Sequence, residues 1–296
     1  MTKRRSYLRD VAKIDFKHYL QCKPFLLAKD ALIATTCADI IRPIGVTGPL
    51  RVLDVGSGEA SLLERICVDL SKGENPIGLE VDAIEPSREG GRSLRFVAER
   101  LRESGVPIHI HEATIQQYLA LPRRVTYDVI LCIHSMYFIR KSEWKSLVPE
   151  LTLRLRRGGV AIFDLVSARS SIYCDLWPKL EAEVRSRHVP RLYEAFGHFV
   201  FSRDFREIVD KVDYTAAELR GSIEFGSGML DEARYLRSVG KLEHSQFATF
   251  LAFMYRCEPR RFGNVLSSLW NTLFPIEPVQ LSLESIDEIF LCRGEK

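Results

Sequence analysis

The sequence predicts an α/β fold: a doubly wound, Rossmann-like sheet of seven strands with a helical N-terminal preface and helical insertions. Three observations predict it. Between residues 50 and 165, strand-length apolar runs alternate with stretches of helical period. The first run, Arg51-Val52-Leu53-Asp54-Val55, ends in the turn Gly56-Ser57-Gly58. The next run, 79–85, ends in a carboxylate, Glu85. Alternation of this kind builds a parallel sheet through right-handed crossovers, and such a sheet takes its ligands beyond the carboxyl ends of its strands.

The elements follow in order. Residues 7–42 carry apolar and aromatic positions at helical spacing, among them Tyr7, Val11, Ile14, Phe16, Tyr19 and Leu20, until Pro43, Gly45 and Gly48 end the pattern. This is the preface. The period then switches to strand 51–55, a helix over 59–71, strand 79–85, a helix over 87–104 and a short strand 107–111. Strand 127–133, a helix over 142–156, the pair Gly158-Gly159 and strand 160–165 come next. Segment 166–200, rich in Ser, Arg and aromatics, breaks the regularity and is the expected place of a lid facing a substrate.

Ser202, followed by Asp204 and Glu207, reads as the N-cap of a helix reaching about residue 211. Residues 217–225 form a strand, 229–274 are helical around Leu251, Phe253, Met254 and Tyr255, and 286–292 close the sheet. The expected division is therefore a helical lid over 1–45, a ligand-binding core over 46–165, and over 166–296 the completion of the sheet with accessory substrate-binding helices.

Composition narrows the function classes. The 296 residues, 46% of them hydrophobic, suffice for a substantial core. Lys plus Arg number 42 against 39 Asp plus Glu, so the net charge of +3 gives no strong field for nucleic acid, and Lys3-Arg4-Arg5 reads as a solvated tail. The seven cysteines are odd in number and contain no CxxC pair. Cys67, Cys132 and Cys292 sit inside apolar runs and read as small buried hydrophobes of a reducing compartment. No metal-ligand spacing is present, the charged start lacks an apolar signal region, and no run approaches the roughly 20 apolar residues of a membrane span. The expectation is a cytoplasmic protein, monomer or homodimer, with no metal, membrane or nucleic acid among its partners.

The glycine turn carries the chemistry. A dinucleotide fingerprint wants a third small residue for helix packing, and Ser61 stands there. Asp54 inside the strand and Glu59 directly after the second glycine crowd the site with negative charge, which a cationic ligand fits better than a pyrophosphate. The stretch Val52-Leu53-Asp54-Val55-Gly56-Ser57-Gly58-Glu59, with Glu85-Pro86-Ser87 after the second strand, resembles the first motifs of class I S-adenosylmethionine-dependent methyltransferases.

That resemblance implies S-adenosylmethionine as cofactor. The backbone N–H groups of Gly56, Ser57 and Gly58 are then expected against its methionine part, and Asp54 is expected to order the turn and draw the ammonium group. Glu85, followed by Pro86 and Ser87, is expected to accept both ribose hydroxyls, the alternative being a surface carboxylate in a turn. Thr114 and the backbone of Ile115 either read adenine or belong to a solvated loop. Ile133 and His134 end the fourth strand, where cofactor and acceptor meet. His134 either orients the acceptor or takes its proton, or it makes a structural hydrogen bond.

A narrower resemblance rests on Glu85-Pro86-Ser87, on the run from Tyr127 through Ile133-His134 to Tyr137-Phe138-Ile139, and on Ser170-Ser171 with Asp175-Leu176-Trp177. In these the chain is similar to the histamine N-methyltransferase family. The likeness implies a small-molecule N-methyltransferase with its acceptor in an aromatic cleft between core and accessory helices. Phe16, Tyr19, Phe25, Tyr137, Phe138, Tyr173 and Trp177 would line that cleft. Where the family has a substrate-recognising glutamate this chain has Phe25, and family asparagine and glutamine positions hold Glu284 and His134, so the implied acceptor is an amine or imidazole other than histamine. His134 and Glu284 are the expected proton acceptors. The other readings of the same frame are an O-methyltransferase of a biosynthetic pathway, a peptide or protein N-methyltransferase, and a non-catalytic subunit with a methyltransferase fold.

Overall fold

The computed structural model describes residues 26–72, 75–122, 125–176, 178–180, 202–209, 212–225, 227–254, 259–274 and 281–294. Phe16, Tyr19, Phe25 and Trp177, expected at the acceptor, lie outside them.

The chain runs α1 (26–41), β1 (Leu50–Val55), α2 (Ser61–Ser71), β2 (Leu79–Ile84), α3 (Arg88–Glu103) and β3 (Ile108–His111). It continues through α4 (Ile115–Leu119), β4 (Tyr127–Ile133), α5 (Lys141–Thr152) and β5 (Leu155–Val166). After these come α6 (Ser202–Ile208), β6 (Tyr214–Phe225), α7 (Ser227–Ser238), α8 (Gln246–Met254), α9 (Pro259–Leu273) and β7 (Leu281–Arg293). The seven strands form one sheet in the order β3-β2-β1-β4-β5-β7-β6. The pairs β1·β2, β1·β4, β2·β3 and β4·β5 are parallel. Backbone bonds from Gly294 N–H to the Gly159 carbonyl and from Ser167 N–H to the Ile286 carbonyl run β7 antiparallel to β5.

The strand order reverses direction between β1 and β4, which is the switch point where the carboxyl ends of an open sheet leave a crevice. The strands flanking it are apolar because helices cover them. On one face Val52, Val81, Val129 and Ile162 share a core with Ile33, Cys37 and Ile41 of α1, Ile66 and Leu70 of α2, and Leu94 and Leu101 of α3. Elsewhere in the fold Phe205 of α6 packs on Phe163 of β5, Phe290 of β7 and Trp144 of α5.

The chain divides into two compact units. One holds 30–165, 202–219 and 287–296, and so contains every strand end of the switch point. The other takes in the described parts of 1–29, 166–201 and 220–286, where Phe225, Phe247, Trp270 and Phe274 make a cluster of edge-to-face and tilted rings.

Several expected boundaries move. The helix expected over 142–156 ends at Thr152, and β5 begins at Leu155 by pairing with Tyr127. Gly158-Gly159, expected ahead of the strand, lies within it at a register irregularity opposite β4. A side chain at Gly159 would put its Cβ 2.8 Å from the Asp128 carbonyl oxygen, so the close approach of the two backbones demands glycine there. Ser202 opens α6 as its first residue, and that helix stops at Ile208. The single helical stretch 229–274 is divided into α7, a short turn Leu242–His244, α8 and α9.

Candidate functional site

At the end of β1 the chain turns through Gly56 and Gly58, whose φ angles of 73° and 55° lie in the left-handed region that glycine enters without penalty. The turn is bonded onto the end of β2. Gly56 N–H and Ser57 N–H both donate to the Ile84 carbonyl, at 2.9 and 3.0 Å, and Gly58 N–H donates to Glu85 Oε2 at 2.7 Å. These are the three N–H groups expected to lie against the methionine part of a cofactor, and in the structure all three hold hydrogen bonds within the protein. Buried backbone donors find partners, and the neighbouring strand end supplies them.

Glu85 is 6% exposed, which removes the surface-carboxylate reading. Its Oε1 accepts from Ser87 N–H at 2.7 Å, and its own N–H donates to the His111 carbonyl at 3.1 Å. Each carboxylate oxygen thus holds one backbone bond, and about four acceptor positions exist on such a group. Ser87 caps α3 by accepting from Gly90 N–H at 3.0 Å. Gly90 was not singled out in the sequence, yet a Cβ there would lie 2.7 Å from Ser87 Oγ and 2.8 Å from Glu85 Cδ. Its bareness is what lets the carboxylate sit against the helix start, and the signal was a glycine one turn after an acidic strand end.

Asp54 is 7% exposed on β1, with Ser57 Oγ donating to its backbone carbonyl at 3.3 Å. Burial pushes its carboxyl up to about 7, with the Glu85 charge adding to the rise and Ser57 opposing it. Thr114 is the N-cap of α4. Its hydroxyl accepts from Gln117 N–H at 3.2 Å and its N–H donates to Gln117 Oε1 at 2.9 Å, a reciprocal capping box. Ile115 is buried at the first turn. The Thr114 side chain therefore works on the helix end, a role not expected from the sequence because α4 itself was not foreseen.

At the end of β4, Ile133 pairs with Asp164 of β5. His134 follows with φ 53°, a left-handed conformation for a residue with a side chain, and such strain gathers at functional sites. Its ring stacks on Tyr137 at 6.2 Å, and its Nδ1 lies 2.8 Å from Asp164 Oδ2. Ser135 next fills the space over the glycine turn: a Cβ on Gly56 would stand 2.7 Å from Ser135 Cβ. The glycine turn after β1 thus lies in close contact with the residue pair that follows β4, and only a glycine fits at position 56. Phe138, at the close of the short turn Met136–Phe138, is 57% exposed.

Asp54, Gly56, Ser57, Gly58, Glu85, Pro86, Ser87, Thr114, Ile115, Ile133, His134, Tyr137 and Phe138 all belong to one compact unit. Glu284 and Tyr173 belong to the other. Glu284, expected as a proton acceptor, is 44% exposed on its side chain and pairs with Arg220 at 2.9 Å. Tyr173 is buried in the helical turn Ile172–Leu176. Cys37, Cys67, Cys132 and Cys292 are buried thiols, and burial pushes Cys67 up to about 12. Among the described residues no cluster of His, Cys, Asp and Glu is placed to hold a metal ion, and no helix is long and apolar enough to cross a membrane.

No protein-family model and no curated protein sequence matches the chain. Solved structures do. A putative methyltransferase from Bacillus halodurans superposes with TM-score 0.51 at 11% identity, over 88% of this chain and 98% of that one. The plantazolicin methyltransferase in complex with SAH is 15% identical, with TM-score 0.48, over 96% and 90%. A (4+2)-cyclase is 17% identical, with TM-score 0.44, over 88% and 81%. At such identities the likeness establishes the architecture: a seven-stranded, Rossmann-like methyltransferase fold.

Proposed function

We propose that this chain is a class I S-adenosylmethionine-dependent methyltransferase acting on a small molecule, with the nitrogen of an amine or imidazole-type acceptor as its target. The observation that carries the reading is an anionic seat at the switch point. Asp54 and Glu85 are buried at adjacent strand ends beside a glycine turn. A pyrophosphate would bring like charge to that seat, whereas a sulfonium with an ammonium group brings the opposite charge.

The donor set fits the cofactor. Glu85 keeps acceptor capacity for both ribose hydroxyls beside its bonds to Gly58 and Ser87. Asp54, held partly neutral by burial, gains from a cation placed near it. When bound, S-adenosylmethionine supplies an electrophilic methyl group on a sulfonium. The chain's own task is then alignment, and well-oriented reactants reach effective molarities of about 10⁵ to 10⁸ M.

Tyr137, stacked on the His134 ring, and the exposed Phe138 offer aromatic faces each worth about 0.5 to 2 kcal/mol toward a cationic acceptor. Of the two proton acceptors expected from the sequence, His134 is the one at the β4 end, while Glu284 is ion-paired with Arg220. The resemblance to histamine N-methyltransferases supports nitrogen as the target.

Calorimetry with S-adenosylmethionine and S-adenosylhomocysteine tests the seat. Glu85→Ala is expected to weaken both about 10- to 100-fold, the worth of one or two hydrogen bonds to a charged group. Unchanged affinity rejects the ribose assignment, and a protein that answers only to a nicotinamide nucleotide rejects the whole reading. A screen of amines, imidazoles and phenols with methyl-labelled cofactor then identifies the acceptor. Turnover of phenols alone makes the protein an O-methyltransferase, and cofactor binding without any acceptor makes it a non-catalytic subunit.

A further inference from the structure

We propose that Asp164 is a positioning residue that fixes His134 as the tautomer protonated on Nδ1. Nε2 then serves as the base for an acceptor whose nucleophile still carries its proton, a phenolic hydroxyl or an azole N–H. The inference rests on the methyltransferase reading; within its nitrogen acceptors it favours an azole N–H over an aliphatic amine, and the same base would serve the phenol of the O-methyltransferase alternative.

Asp164 is wholly buried in β5, between Phe163 and Leu165, which are equally inaccessible. A carboxylate in such surroundings is costly unless a partner compensates it. Among the described residues neither of its oxygens finds a hydrogen-bond donor, and His134 Nδ1 stands 2.8 Å from Oδ2. A ring protonated on Nδ1 would direct that proton at the carboxylate, and catalytic hydrogen bonds are commonly long or poorly aligned until ligands are bound.

The backbone makes the pairing. Ile133 is in register with Asp164, and the left-handed φ of His134 turns the chain at that point. The following residue, Ser135, packs over Gly56, so the imidazole lies one residue from the turn that seats the cofactor in our reading. The His134 side chain is 25% exposed whereas its partner is wholly buried, and Tyr137 stacks on the ring.

The chemistry follows from the inventory of an imidazole. With its Nδ1 proton directed at a carboxylate, the neutral ring presents its lone pair on Nε2, and the carboxylate stabilises the imidazolium formed when Nε2 takes a proton. In the transfer, the acceptor's oxygen or nitrogen forms its bond to the methyl carbon, the carbon–sulfur pair returns to sulfur to give a neutral thioether, and the acceptor's proton passes to Nε2 and then to water. A neutral aliphatic amine attacks through a free lone pair and has no need of this base, so the dyad selects for protonated nucleophiles of the hydroxyl or azole kind.

Protein labelled with ¹⁵N-histidine, with and without S-adenosylhomocysteine, tests the inference by imidazole NMR, the His134 signals being assigned by their loss in His134→Gln. The expected spectrum is a neutral ring protonated on Nδ1 at about pH 8, above the ordinary histidine range. Asp164→Asn should shift the tautomer toward Nε2–H and lower kcat about 100-fold on the best acceptor of the screen, within the range of general-base contributions. Acceptor KM and cofactor affinity should stay unchanged. A ring protonated on Nε2 or on both nitrogens at that pH in the wild-type protein overturns the proposal, as does a folded Asp164→Asn variant with undiminished kcat. Should that variant not fold, the wild-type spectrum and the turnover of His134→Gln decide. Failure to bind S-adenosylmethionine sinks the methyltransferase reading itself, whereas binding and turnover with the wrong tautomer sink only the dyad.

Discussion

Asp54 is a residue on which burial and ligand binding pull in opposite directions. Its folded carboxyl lies near 7, against 3.8 in the exposed group, because burial disfavours the charge. The folded chain therefore binds more protons than the unfolded chain between about pH 4 and pH 7, and linkage makes this residue's contribution fall as pH rises through that window. Asp54→Asn is expected to remove that slope, so that denaturant unfolding of the cofactor-free variant shows a gain over wild type at pH 8 and none at pH 4. The same substitution should weaken S-adenosylmethionine, while wild-type affinity rises from pH 6 to pH 8 as the carboxylate forms. Calorimetry across that range checks the sign. The position of Asp54 one residue before the strand end was plain in the sequence, but its degree of burial depended on the strands on either side of it.

At the scale of elements, the strand ends decide what the site contains and the helix caps hold it. Thr114 and Gln117 close the start of α4, and Ser87 closes the start of α3 behind Glu85. Thr114→Ala should cost about 1 kcal/mol of stability, the usual worth of an N-cap, and leave cofactor affinity unchanged. A fall in affinity at full folding would return Thr114 to the adenine-reading role. The strands β1 and β4 were legible nearly to the residue because their apolar runs are bounded on both sides by polar or glycine-rich stretches. The junction of α5 and β5 was not, since Leu151, Leu153 and Leu155 satisfy both a helical and an alternating pattern and only pairing with Tyr127 settles where the strand starts.

For the whole molecule, residues far apart in the chain share cores that no local pattern announces. Phe205 is wholly buried, with Phe290 stacked on it at 4.5 Å, Phe163 at 5.0 Å and Tyr214 at 6.1 Å, so α6 joins β5, β6 and β7 within one unit. Ion pairs from Lys141 to Asp204 and from Arg206 to Glu288 hold the same helix at its two sides. Phe205→Ala should destabilise the protein by about 3 to 5 kcal/mol through the cavity it leaves, read as a lower urea midpoint with an unchanged slope.

By itself the sequence determined the alternation of strands and helices, the glycine turn, and the two carboxylates at successive strand ends. All of these are set by neighbours along the chain, through period, backbone freedom and the cost of placing charge in an apolar run. Only the tertiary structure decided which N–H groups the turn has left to offer, that Glu284 meets Arg220, and that the one acidic residue in the apolar run Val160–Val166 lies beside His134. Those outcomes belong to strand order and register, which bring together groups with no relation in the linear sequence, and hydrogen-bond capacity is spent on whichever partner arrives.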